Sequence, residues 1–222
     1  MKKTLLAVVA STIALSSAVQ ARPMPVFDAD KAADVFGYDS VTVGYSQQEI
    51  DSERAGDALH VRASRRITEH TYIRGTFSDF KPTDDYNGVI ADVTTFSVSA
   101  GVQYSPEDFG VPSNTLNFYG DVGLLNTGFR LNEDKEHDNQ FLVTAGVNFR
   151  PCDYAIFTAK VEHPFGGDLD TNPTYGIGLD VYPLENVAVG IEHKISSYDH
   201  DNGKAIRELD SATTGLFVKF KY

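Results

Sequence analysis

From Tyr38 to Tyr222 the chain alternates apolar and polar residues with a period of two, in segments of about ten residues. Helical periodicity is nearly absent. Residues 96–104 carry the pattern most clearly, with Phe96, Val98, Ala100, Val102 and Tyr104 on one phase. Nine further segments follow the same rule, over residues 41–45, 59–63, 73–77, 116–124, 141–149, 157–161, 175–181, 187–191 and 216–222. A strand with one apolar face must bury that face, in a protein core or in lipid. About ten residues is also the length a tilted strand needs to cross a bilayer.

The amino-terminal stretch narrows the choice. Lys2 and Lys3 precede a short apolar run from Leu5 to Leu15, and Val19-Gln20-Ala21 puts small residues before a cut after Ala21. This is the pattern of a secretory signal peptide over residues 1–21, too short to be comfortable as a membrane span. No cysteine follows the cut, which argues against a lipoprotein. Beyond Ala21 there is no run of eighteen apolar residues, so membrane-spanning helices are excluded and a soluble secreted protein or a β-barrel remains. The formal charge of −12 offers no broad basic surface for nucleic acid. The single cysteine, Cys152, cannot form an internal disulfide.

Three features favour a barrel in a membrane. The polar phase holds Gly44, Gly101, Gly123, Gly146, Gly176, Gly178, Gly190 and Gly215 beside His60, Arg62, Arg66, Arg74, Asp121, Lys160, Glu162, Asp180, Glu192, Lys194 and Lys219. Glycine weakens a strand, and a solvated outer face has no use for so much of it. A narrow polar lumen does, because small residues make room for long ones. Aromatic residues on the apolar phase sit at segment ends: Tyr45, Phe77, Phe96, Phe141 and Tyr175 at one, Tyr104, Phe149 and Tyr222 at the other. That placement suits two interfacial girdles. Residues 216–222 form a strand with apolar residues at every second place up to Tyr222, the kind of terminal strand that barrel-assembly machinery recognises.

On these features the chain resembles the small Gram-negative outer-membrane β-barrels, the group that includes the OmpA transmembrane domain and OmpX. The resemblance covers essentially the whole mature chain and rests on pattern. It implies an all-β, closed, antiparallel up-and-down transmembrane barrel at residues 38–222, in the cell outer membrane, in contact with outer-membrane lipid and lipopolysaccharide. The count here is ten strands where those relatives have eight, with eight as the alternative because segments one, three and seven are the least regular. No peptidoglycan-binding domain is expected after it.

Residues 22–37 read as a short periplasmic lead-in, with one helical turn near residues 28–35. Long polar connections are expected at 47–57, 81–91, 126–139, 164–173 and 196–210. Short ones are expected at 68–70, 151–153 and 183–186, with 105–114 as the exception among them. Long loops outside and short turns inside are usual for bacterial barrels.

Three functional classes stand open: an envelope barrel with a structural role or acting through its loops, a narrow passive channel of porin type, and a lipid A deacylase-like hydrolase. Inward charges of both signs either line a pore or pair across it, and the narrowness of ten strands favours pairing. The outer loops are acidic, with Glu-Asp-Lys-Glu-His-Asp at 133–138, and could meet an extracellular partner or a divalent ion. They lack calcium-loop spacing, and Asp-rich loops are usually just solvated. His193, Ser197 and Glu208 loosely resemble the His, Ser and Glu region of lipid A deacylases. In those enzymes one residue separates His from Ser, whereas here Ile195 holds that place. An outer-membrane protease would need paired acids and a His–Asp pair; His200 between Asp199 and Asp201 is the nearest approach. No catalytic residue, cofactor or metal site is therefore assigned.

Overall fold

The computed structural model describes residues 36–83, 92–110, 115–131, 134–167, 172–201 and 206–222, with side chains for all of these but 131, 134, 197–201 and 206–210. Ten strands run in chain order: β1 (Ser40–Ile50), β2 (Glu53–Arg66), β3 (Thr71–Pro82), β4 (Asp92–Tyr104), β5 (Leu116–Leu131), β6 (Asp134–Cys152), β7 (Ala155–Phe165), β8 (Thr174–Leu184), β9 (Val187–Asp201) and β10 (Ile206–Lys221). Each pairs antiparallel with its neighbours in sequence, and β1 pairs with β10 from Ser40↔Lys221 to Ile50↔Ser211. The barrel is closed and has no edge. Between the girdles each strand is then paired on both sides, as backbone in lipid requires, and the projecting ends of β6, β9 and β10 are paired on one side. The eight-strand alternative is excluded, because the three least regular segments form β1, β3 and β7 in full.

The apolar phase points outward. Ile177 is 64% exposed, Leu216 63% and Leu124 63%, whereas Thr144 is 2% exposed and Gln140 3% on the opposite phase. This inverts the arrangement of a soluble barrel, whose apolar face fills the inside. So continuous an apolar belt far exceeds what a soluble monomer shows to water. A barrel with this belt should run faster on a detergent gel when unboiled than when boiled. Unchanged mobility, together with solubility in plain buffer, is the result that contradicts it.

Short links join strands at the end that holds Phe36 and Tyr222, here the turn end: residues 67–70, 153–154 and 185–186. In the first, Thr68 Oγ1 accepts from the backbone N–H of His70 at 3.3 Å and of Thr71 at 3.1 Å. The longer β4–β5 link begins with a 3₁₀ turn, Pro106–Phe109, in which the Asp108 carboxylate accepts from the Ser105 N–H at 2.5 Å.

The opposite, hairpin end differs from the sequence expectation. Three of the five expected long connections are mostly strand. β1 and β2 are joined by Asp51 and Ser52 alone, both at positive φ (51° and 69°), as a two-residue hairpin turn requires. The β5–β6 ladder runs on to Leu131↔Asp134, and β9–β10 to Asp201↔Ile206. Above the bilayer neither face need be apolar, so the alternation that marks a strand disappears although the ladder continues. The other two connections run through residues 84–91 and 168–171, which lie outside the described residues.

Candidate functional site

The lumen is built from the polar phase of every strand. Glycines lie directly across the ladder from its largest rings. Tyr72 pairs with Gly101, Tyr119 with Gly146 and Phe217 with Gly44. A Cβ on Gly101 would stand 2.5 Å from the Tyr72 ring and 2.6 Å from the backbone oxygen of Gly120. The Tyr72 ring thus occupies the space a side chain would take. Gly101→Val should therefore block folding or destabilise the barrel by about 3 kcal/mol, since backbone cannot yield as a side-chain tip can. Loss of heat-modifiable mobility on the gel would report it.

At the turn end Tyr38 enters the barrel from before β1. It is 5% exposed and packs on Tyr72 (ring centroids 4.7 Å apart) and on Tyr119 (6.4 Å). Its hydroxyl donates to Asn117 Oδ1 at 2.7 Å and accepts from Asn148 Nδ2 at 3.4 Å. Gly37, at φ 73°, makes the bend that lets Phe36 pack both on this tyrosine cluster and on Ile156, Tyr182 and Ala188. The expected lead-in thus contributes its last residues to the interior of the barrel; residues 22–35, with the expected helical turn, lie outside the described residues. Beside the tyrosines, Asp121, with 1% of its side chain exposed, accepts from Arg74 at 2.9 Å and from the Tyr72 hydroxyl at 2.8 Å. The Arg74 guanidinium also lies over the Tyr72 and Tyr119 rings, at 5.1 and 5.5 Å.

A second cluster draws on β2, β7 and β9. Lys160 bridges Glu192 at 2.6 Å and Glu162 at 2.9 Å; Lys194 meets Glu162 at 2.7 Å, and Arg62 meets Glu192 at 3.6 Å. Three cations share two carboxylates. Lys219 pairs with Asp180, and Ser46 Oγ contacts His60 Nε2 at 2.5 Å. The polar-phase charges singled out in the sequence are thus gathered inside in pairs, with Arg66 bonded to Asp39 at the turn end. Sequence reasoning missed the tyrosines. Their one signal is a polar-phase ring opposite a glycine, and it is readable only once the register is known.

The residues of the hydrolase reading are not brought together. His193 is exposed on the outer face, where Nδ1 lies 2.9 Å from Thr214 Oγ1. Ser197 stands four residues farther along β9, about 13 Å at strand spacing. Glu208 pairs with Asp199, beyond Ser197. The side chains of Ser197, Asp199, His200 and Glu208 lie outside the described residues. Glu69, His70 and Asp108, ungrouped in the sequence, have ligand atoms within 4.8 Å of one another at the turn end. Asp108 is already engaged there as the cap of the 3₁₀ turn.

Residues 135–138 of the acidic run are sorted by strand alternation. Lys135 and His137 continue the outward phase of Asn139 and Phe141, while Glu136 and Asp138 continue the inward phase. The outward pair borders a cleft of about 300 Å³ on the outer face of β3–β6, lined by Asp79, Lys81, Asp92, Thr94, Gly128, Phe129 and Arg130 as well. Arg130 contacts Asp92 at 2.5 Å, and Lys81 stands 3.8 Å from both Asp79 and Asp92.

The sequence matches the family described as outer membrane protein beta-barrel domain over residues 7–220, nearly the whole chain. The chain belongs to this family. Its place is accordingly the outer membrane, and its apolar belt contacts membrane lipid. Among solved structures, Neisserial surface protein A is similar at 14% identity (82% of this chain, 95% of that chain, TM-score 0.39). KdgM porin is similar at 10% (82% and 99%, TM-score 0.43), and the N-terminal β-barrel domain of Pseudomonas aeruginosa OprF at 13% (83% and 98%, TM-score 0.39). A comparison with curated proteins returns no match. Membership gives the architecture and the membrane and leaves the role to be argued from the lumen and the rim.

Proposed function

We propose that this protein is a non-catalytic, non-conducting envelope barrel that acts at the cell surface through its projecting hairpins. The filled lumen carries the reading. Asp121, Asn117, Gln103, Thr144 and Lys160 are each at most 9% exposed although all face the barrel axis, so the lumen is packed at these residues, while Arg62, Lys194 and Glu162 keep 21–32% of their side chains open. Charged groups gathered in pairs satisfy one another and need no aqueous pore to solvate them. In this reading residues 1–21 are removed after Ala21 on export. The strand ending at Tyr222 engages the assembly machinery, and the turn end faces the periplasm. Lipopolysaccharide surrounds the hairpin end, whose β5–β6 and β9–β10 ladders rise above the aromatic girdle to meet extracellular partners.

Single-channel recording from the refolded protein in a planar bilayer tests this. A silent membrane is expected, with folding verified by the gel shift. Discrete reproducible steps would replace this reading with that of a narrow channel.

A further inference from the structure

We propose that the cleft on the outer face of β3–β6 is a binding site for the phosphate groups of the lipopolysaccharide headgroup, with Lys81, Arg130 and Lys135 as the phosphate ligands. The proposal rests on the reading that lipopolysaccharide surrounds the hairpin end, and it gives that contact a place.

The outward phase of these four strands changes in one direction along the barrel. On β4 it runs Val98, Phe96, Thr94, Asp92; on β5 Leu124, Asn126, Gly128, Arg130; on β6 Val143, Phe141, Asn139, His137, Lys135. Apolar residues give way to an aromatic ring, then to hydroxyl and amide groups, then to charge. Asp79 and Lys81 stand two and four positions beyond Phe77. That is about 7 and 13 Å along the strand, or about 5 and 10 Å along the membrane normal for a tilt near 40°. The headgroup layer beyond the hydrocarbon is about 5–8 Å deep on each side. The cleft therefore faces headgroups, and the lysine and arginine stems are long enough to reach down into them.

Its charge suits phosphate. Three cations face two carboxylates, and His137 adds an imidazole. The carboxylates are occupied from within the cleft: Asp92 by Arg130, and Asp79 by the Thr94 hydroxyl at 3.0 Å. Among the described residues Lys135 and His137 make no ion pair, so the surplus positive charge lies on the β6 side. The Lys81 and Arg130 side chains are 55% and 52% exposed, open to a ligand arriving from outside the barrel. Gly128 forms the floor; a Cβ there would stand 3.1 Å from the His137 ring, so glycine keeps the cleft open. The same outward phase at the turn end carries Arg65, whose guanidinium lies over the Tyr222 ring.

The test compares the full barrel with the Lys81→Gln/Arg130→Gln/Lys135→Gln variant, both refolded in phosphatidylcholine vesicles and both checked by gel shift. Labelled lipid A carrying both phosphates is titrated in, then its dephosphorylated form, then inorganic phosphate as competitor. The wild type should hold phosphorylated lipid A at least tenfold more tightly than the dephosphorylated form, and the triple variant should lose that difference. Arg65→Gln at the opposite rim should keep it. Equal binding by wild type and triple variant overturns the proposal, as does indifference to the lipid phosphates. Competition by inorganic phosphate at the concentrations at which lipid A binds overturns the lipid assignment in favour of a free-anion site. None of these outcomes depends on conductance, so failure here leaves the closed-barrel reading standing, and channel activity would leave this one standing.

Discussion

Asp121→Ala is expected to destabilise the barrel by about 3–5 kcal/mol. The carboxylate is almost fully covered and serves two donors at once, the Arg74 guanidinium and the Tyr72 hydroxyl. Removing it leaves a cation inside the barrel whose remaining neighbours are the faces of two tyrosine rings. Those rings attract it, by about 1–2 kcal/mol each when desolvated, and do not replace an ion pair. The cost is that of an orphaned charge, so taking away the charge as well should recover much of it. Arg74→Ala/Asp121→Ala is expected to be more stable than Asp121→Ala alone. Urea unfolding of the three proteins in lipid vesicles measures the difference. A double variant no better than the single one would mean that the pair acts by filling space and that its charges hardly matter.

The second large effect concerns conductance. Phe36→Ala/Tyr38→Ala should convert a silent barrel into one with resolvable single-channel steps. Both rings come from residues ahead of β1, so removing them leaves the barrel ladder intact. Tyr38 joins β3, β5 and β6 through the Tyr72 and Tyr119 rings and through Asn117 and Asn148, and Phe36 spans from that cluster to the one around Tyr182. Truncating both opens the turn end of the lumen while the ten-strand ladder stays paired. If the double variant stays silent while folded, the closure lies in the Lys160, Glu162, Glu192 cluster, and the tyrosines only pack. The two lumen clusters are thus separable by experiment.

The ten crossings were legible in the sequence because lipid imposes the period. Each outward position between the girdles must be apolar, and Phe96, Val98, Ala100, Val102 and Tyr104 satisfy that rule without reference to any other part of the chain. The hairpin end is illegible for the same reason. Above the girdles the rule lapses, and residues such as Thr127 to Arg130 carry no alternation although they pair as regularly as those below. The acidic run at 133–138 shows the consequence for the outer face. Read as a loop it is a patch of negative charge; read as a strand it has two faces, and among the described residues the outward one carries Lys135 and His137. The tyrosine stopper was hidden differently. The alternation begins at Tyr38, and nothing in a short aromatic-glycine-aromatic segment tells whether it lies under the barrel or turns into it. Only the positive φ of Gly37 and the glycines facing Tyr72 and Tyr119 make room for that turn, and both are facts of register and backbone.

The seam between β1 and β10 also constrains how such a molecule can come into being. Its two strands are the farthest apart in sequence, so the ribosome finishes the second long after the first. Until they meet, the sheet has two open margins, and each unpaired amide or carbonyl exposed to hydrocarbon costs several kcal/mol. A half-made barrel therefore has no resting place in the bilayer. The chain must wait in water or be sheltered by another protein until its last strand is available, and entry into the membrane and completion of the cylinder become one event.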